Sequence, residues 1–298
     1  MQLIEINSEE GYGRIAECYK KIIDSLLENE YRVPSENIPK DFDSSIIMFS
    51  KILRRRNCII NKKWAVVEGL KIDEKLKGGF EALKNALKTG VNIERFMTTN
   101  IDRPNSTDKM LDCDQIYHFH LSSEPHEKNN NFNKRTNERV FVYFDFDNTK
   151  AYFIDIYPHG AENNRVEEII IKLYEKYPEI CKNNIYEAKL STQYKDSEIS
   201  CLRKNNINPI FQVDENHIFC PGGGVTLNGV SIKDVFSKIY IVKYLKKLKK
   251  SIYELLKPIV KESDNIDIEL YNKKSNVYIK IKVNEKIFKE EFLFEIRI

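Results

Sequence analysis

The chain has 298 residues, 41% of them hydrophobic and 31% charged, with a formal net charge of +3; this is a globular composition with room for one large or two ordinary cores, and it excludes a polycation. No apolar run approaches the roughly 18 residues of a membrane helix, and the opening MQLIEINSEEGYGR lacks the basic and apolar stretches of a signal peptide. Cys18, Cys58, Cys113, Cys181, Cys201 and Cys220 are scattered without a CxxC pair, which suits reduced thiols, a cytoplasmic location and no membrane partner.

Apolar residues at helical spacing (Ile15, Cys18, Tyr19, Ile22, Ile23, Leu26, Leu27) predict a helix over 8–30, broken by the two prolines of YRVPSENIPKDF. Ile46, Ile47, Phe49, Ile52 and Leu53 predict a second helix over 44–61, a third follows at 73–88, and NIERFMTTN is a short fourth. The period then changes to two. Strands are expected at 116–121, in RVFVYFDF (139–146) and in AYFIDIYPH (151–159), with DNTK as the hairpin turn between the last two. Between the first two lies the Asn-rich loop EKNNNFNKRTNE, and a helix over 166–177 ends at Pro178. The polar stretch after it suggests a boundary near 183. Beyond it come a helix near 195–205, the hairpin INPIFQV-DEN-HIFCP, a glycine-rich turn, a long helix over 231–262 and three alternating strands, NIDIELY, NVYIKIKV and KIFKEEFLFEIRI. The expected fold is α+β: a helical N-terminal region, a small antiparallel sheet, and a second α+β C-terminal half, divided as 1–182 and 183–298.

Charge is unevenly spread. From Ser44 to Val67 there are Lys51, Arg54, Arg55, Arg56, Lys62 and Lys63 and no acid, and KYLKKLKKSIYELLK is similarly basic. Such a face is either solvated or holds a phosphate backbone; Arg54, Arg55 and Arg56 are the nucleic-acid-binding candidates, with Lys134 and Arg139 beside the sheet.

Four of the five histidines, His118, His120, His126 and His159, lie in the sheet region. Residues two apart on a strand share a face, so His118 and His120 point one way while Tyr117, Phe119 and Leu121 pack the other. Along AYFIDIYPH, strict alternation sets Phe153, Asp155, Tyr157 and His159 opposite Tyr152, Ile154 and Ile156. If the two faces coincide, one surface gathers imidazoles, a carboxylate and a phenol, with Lys134, Arg135 and Arg139 from the adjoining loop. Such a set can cleave RNA without metal or cofactor. One imidazole deprotonates a ribose 2′-hydroxyl, a second protonates the leaving 5′-oxygen, an arginine steadies the phosphorane, and Asp155 could fix a histidine tautomer. The same residues could instead ligate zinc or another metal, or be ordinary polar-face histidines. His126 and His217 read as structural.

The stretch YHFHL, the KRT loop and VFVYFDFDNTKAYFIDIYPHG, about residues 112–178, resemble the catalytic sheet of toxin-type ribonucleases, the broad group of RelE-like interferases and barnase-like nucleases. The resemblance implies a metal-free ribonuclease with His118, His120, Arg135 and His159 as active positions and Tyr157 near them. It also implies a toxin or phage-defence setting, with the second half as a sensing or partner-binding part.

Other motifs are weaker. CPGGGVTLNG (220–229) is either a close-packing glycine turn or a phosphate cradle for a nucleotide effector. Asp145 and Asp147 in FDFDN read as a solvated turn rather than a Mg²⁺ site. Trp64, the single tryptophan, is a packing anchor or a base-stacking residue. The leading expectation is a metal-independent endoribonuclease, with His118 and His159 as a base/acid pair in unassigned order, His120 assisting and Arg135 on the phosphate. The alternatives are a metal-dependent nuclease or phosphoesterase using the same histidines, and a non-catalytic protein that binds nucleic acid or a partner. RNA is the expected partner. A protein partner or small-molecule effector is expected at the C-terminal half.

Overall fold

The computed structural model describes residues 2–56, 62–91, 93–98, 103, 106–127, 129–145, 149–182, 185–186, 194–213, 216–261, 263–273 and 276–295. The fold is α+β. Its helices are α1 (Leu3–Ile6), α2 (Glu9–Asn29), α3 (Phe42–Arg56), α4 (Glu74–Thr89), α5 (Ala161–Asn164), α6 (Val166–Lys176), α7 (Pro178–Cys181), α8 (Asp196–Lys204) and α9 (Ile232–Leu256). Its strands are β1 (Ala65–Val67), β2 (Ile116–His120), β3 (Pro125–His126), β4 (Asn129–Asn133), β5 (Glu138–Phe144), β6 (Lys150–Pro158), β7 (Ile185–Tyr186), β8 (Ile210–Val213), β9 (Asn216–Phe219), β10 (Ile266–Lys273), β11 (Asn276–Val283) and β12 (Lys286–Glu295).

The chain forms two compact units: Met1–Leu53 with Asp234–Ile298, and Arg54–Lys233. This corrects the division expected at 182/183, which falls inside the second unit. Ile169, Ile170 and Leu173 before that point share one core with Phe211, Val213 and Ile218 after it, so a cut there would open a packed interior.

In the first unit, Ser8 caps α2 by accepting from Gly11 N at 3.2 Å. The helix buries Ile15, Tyr19, Ile22, Ile23, Leu26 and Leu27 against Ile46, Phe49 and Ile52 of α3 and Leu245, Ile252 and Leu256 of α9. The antiparallel meander β10-β11-β12 closes the core with alternating Ile266, Ile268 and Leu270, and Val277, Ile279 and Ile281.

In the second unit, β2, β5 and β6 pair antiparallel as their alternation predicts, in the order β1-β6-β5-β2. The sheet is not purely antiparallel, because β1, which lacks a strand pattern of useful length, adds parallel to β6 with Ala65 opposite Lys150. One face carries Phe119, Leu121, Val140, Val142 and Phe153 and is covered by Leu76, Phe80, Leu83 and Leu87 of α4. Trp64 is 2% exposed there, edge-on to Phe144 at 4.6 Å, and is a packing anchor. The opposite face carries Ile116, Phe141, Tyr143, Ile154 and Tyr157 and is covered by α6 and the three-stranded sheet β7-β9-β8.

A β-bulge changes the reading of β6. Phe141 pairs with Asp155 but Val142 pairs with Phe153, so β6 holds one residue more than β5 at this point. The side-chain alternation flips across it: Ile154 and Tyr157 lie on the α6 face, Phe153 and Ile156 on the α4 face. The expected single face of Phe153, Asp155, Tyr157 and His159 is therefore corrected.

Candidate active site

A pocket of about 300 Å³ opens on the second unit where the ends of the sheet strands meet the preceding and following loops. Its walls include His118 from the middle of β2, Arg139 from the start of β5, His159 just past β6 and Glu162 from α5. Asp108 and Lys109, ahead of a wide turn over Met110–Asp114, complete one side with Ser106; Arg55, near the end of α3, and Arg135, between β4 and β5, bring two more guanidinium groups. His159 is exposed, and its backbone N donates to Asn137 O at 2.6 Å, which ties the end of β6 to the loop before β5.

The His118 side chain is only 8% exposed, with Nδ1 3.6 Å from Asp108 Oδ2. That separation is beyond hydrogen-bond length, and Nδ1 has no hydrogen-bond partner among the described residues. Asp108 Oδ1 is held by Leu111 N at 3.1 Å. Glu162 uses both oxygens: Oε1 accepts from Arg139 Nη1 at 2.9 Å and Oε2 from Gly160 N at 3.0 Å. Burial pushes its carboxyl pKa up, but backbone hydrogen bonding and the charges of His118 and Arg139 outweigh this and hold it below the usual value.

Of the residues expected in the site, His118, His159, Arg135 and Arg139 line this pocket together with Arg55. His120 does not. It is 2% exposed, its Nδ1 accepts from Thr136 N at 3.3 Å, and burial, with the charges of Arg139 and His118, pushes its pKa down to about 4. Tyr157 is also a core residue. Its ring stands edge-on to Phe141 at 5.7 Å, its hydroxyl donates to Glu168 Oε1 at 3.1 Å, and burial raises its pKa to about 12. Asp155 pairs with Lys172 of α6 rather than with a histidine.

The basic run is corrected in the same way. Arg54 is buried, with Nη2 2.7 Å from Asp112 Oδ1 and Nη1 donating to Leu111 O at 3.3 Å. Arg55 donates to Ser106 Oγ at 2.7 Å and lies 3.6 Å from Asp112 Oδ2. Both anchor the end of α3 to the loop before β2 instead of forming a solvated face; an Arg–Asp cluster of this kind is held by its mutual pairing. Arg56 is partly buried in the last turn of α3, and Lys134 is exposed, 3.5 Å from Glu124, and is not part of the pocket wall.

The glycine turn binds to the chain itself. Gly223 N donates to Cys220 O at 2.8 Å and Gly224 N to Cys113 O at 3.0 Å, and a Cβ at Gly222 would lie 2.5 Å from Cys113 O. Two of the amides that a phosphate cradle would need are thus used internally, and the packing-turn reading accounts for the glycines. Asp145 accepts from Thr149 N at 2.7 Å and Lys150 N at 3.0 Å, closing the β5–β6 turn. Asp147, Cys58 and the His217 side chain lie outside the described residues.

Sequence reasoning missed Asp108, Lys109 and Glu162. Glu162 had a local signal, standing three residues after His159 at a helix start, PHGAEN; Asp108 and Lys109 sit in a segment with neither period. Among the described residues, no group of three His, Cys, Asp or Glu side chains is arranged to hold a metal ion, and no helix is long and apolar enough to cross a membrane. Comparison of the chain with protein-family models, curated proteins and solved structures gives no match.

Proposed function

We propose that the chain is a metal-independent endoribonuclease acting on cytoplasmic RNA, with His118 and His159 as its acid/base pair. The observation that supports this reading is the meeting in one pocket of a buried imidazole, an exposed imidazole and the guanidinium groups of Arg55, Arg135 and Arg139. The fixed cations suit a phosphodiester, which carries one negative charge and gains more on its oxygens in the transition state. One histidine takes the proton of the ribose 2′-hydroxyl while the 2′-oxygen bonds to phosphorus. The P–O5′ bond breaks, and the second histidine gives its proton to the departing 5′-oxygen. The products are a 2′,3′-cyclic phosphate and a 5′-hydroxyl end, and the step consumes neither water nor metal.

Arg139 is braced by Glu162, and Arg55 by Ser106 and Asp112, so neither needs to be ordered when the substrate arrives. Arg135, from the exposed loop between β4 and β5, lines the same pocket and is the arginine assigned to the phosphate. His120 and Tyr157 have no chemical part in this scheme.

The test is cleavage of a mixed-sequence RNA by the purified chain in EDTA, beside His118→Ala and His159→Ala. Cleavage that survives chelation and falls by at least about 10²-fold in each variant is expected. An intact RNA, or activity indifferent to both substitutions, sinks the proposal.

A further inference from the structure

We infer that Asp108 is the positioning residue for His118, holding its proton on Nδ1 and so leaving Nε2 as the base that takes the 2′-hydroxyl proton. The inference rests on the ribonuclease reading for the word base, but its geometry is independent of it. Among the described residues, His118 Nδ1 is a buried ring nitrogen without a hydrogen bond, and the carboxylate oxygen in salt-bridge range of it is Asp108 Oδ2, at 3.6 Å. A buried nitrogen left bare costs free energy, and closing the gap to about 3 Å would satisfy it.

Three carboxylates compete for this role, and the structure separates them. Asp155, the one expected from the strand pattern, is neutralised by Lys172. Glu162 is near enough for its charge to feel His118, but Arg139 and Gly160 N occupy its two oxygens. Asp108 has one oxygen engaged by Leu111 N, at 3.1 Å, which leaves Oδ2 for the imidazole. Its backbone is anchored as well: Asp108 O accepts from Asp112 N at 2.7 Å, and Asp108 N donates to Asp112 Oδ2 at 3.3 Å. Asp112 in turn pairs with Arg54 and Arg55. The carboxylate is thus set by the wide turn ahead of β2, on a base of buried ion pairs. An imidazole whose Nδ1–H faces a fixed carboxylate presents its Nε2 lone pair to the reacting group and is stabilised once that nitrogen is protonated. With His118 as base, His159 is the acid: the proton from the 2′-hydroxyl goes to His118 Nε2, and the proton given to the 5′-oxygen comes from His159.

The decisive variant is Asp108→Asn in the full chain. Its amide oxygen can still accept from Leu111 N, so the turn is kept. Its NH₂ can only donate, and on meeting Nδ1 it would move the imidazole proton to Nε2. The first readout is nitrogen-15 NMR of the imidazoles, with His118 assigned by loss of its signals in His118→Asn. Wild type should show His118 protonated at Nδ1, and Asp108→Asn should show the proton at Nε2. A wild-type His118 protonated at Nε2, or the same tautomer in both proteins, overturns the inference.

The second readout is cleavage. Asp108→Asn should lower kcat by about 10²-fold or more with KM nearly unchanged, and Asp108→Glu should recover part of the loss; a rise in KM with kcat kept would show a binding role instead and count against positioning. If the wild-type chain cuts no RNA, the base assignment falls with the ribonuclease proposal, while the tautomer still decides whether Asp108 holds His118.

Discussion

His118 and His120 stand two residues apart on β2, and their surroundings give them opposite characters. His118 meets a pocket with a carboxylate at its Nδ1, whereas His120 is sealed beneath Thr136 and beside Arg139. For His120 the consequence is a pH-dependent stability. Its folded pKa of about 4 lies below the ordinary 6.5, so protons bind the unfolded chain more readily than the folded one. The contribution is therefore complete above pH 6.5 and is lost as pH falls from 6.5 towards 4, reaching about 3 kcal/mol at most. Urea unfolding at pH 7 and pH 5 should show the drop. His120→Asn, whose side-chain oxygen can still accept from Thr136 N, should show less of it; an equal drop in both proteins would assign the pH dependence elsewhere. At this scale the sequence made His118, Arg135, Arg139 and His159 candidates by residue type and strand phase. It could not tell His118 from His120, because burial depends on what lies above the strand.

At the scale of elements, periodicity located β2, β5, β6, α2, α4 and α6, since each buries one face and its apolar residues recur accordingly. The bulge in β6 escaped, because an extra residue leaves no mark in AYFIDIYPH beyond a mismatch with its partner. The approach of α4 to the end of β2 is also a partnership effect, and it yields a matched pair of substitutions. Gly78 and Gly79 are neighbours in α4, and helix propensity alone favours alanine at both by about 1 kcal/mol. Among the described residues, a Cβ at Gly78 meets nothing within 4 Å, whereas one at Gly79 would lie 2.1 Å from Leu121 O. Gly78→Ala should raise the melting temperature. Gly79→Ala should lower it, by about 1–3 kcal/mol of stability, because the obstacle is backbone and the helix must move away. Thermal melts of the two variants check both signs, and stabilisation at Gly79 would refute the close approach.

At the scale of the whole molecule, the first unit is assembled from both ends of the chain and the second is continuous. Two fragments cut at the 182/183 position expected from the sequence should therefore each fail to melt cooperatively, because the cut divides Ile169, Ile170 and Leu173 from Phe211, Val213 and Ile218. A fragment of residues 54–233 should melt cooperatively. Circular dichroism against temperature distinguishes the cases, and a sharp transition in the 183–298 fragment would contradict the division. By itself the sequence determined the α+β class, most of the elements and the gathering of histidines and arginines near one sheet, because those follow from local period and composition. Only the tertiary structure decided that Arg54 is an internal ion pair, that His120 and Tyr157 belong to the interior, that Asp108 rather than Asp155 faces His118, and that residues 1–53 fold with 234–298. Each of these depends on which distant segment packs against a residue, and burial and charge pairing act between residues close in space, however far apart they lie along the chain.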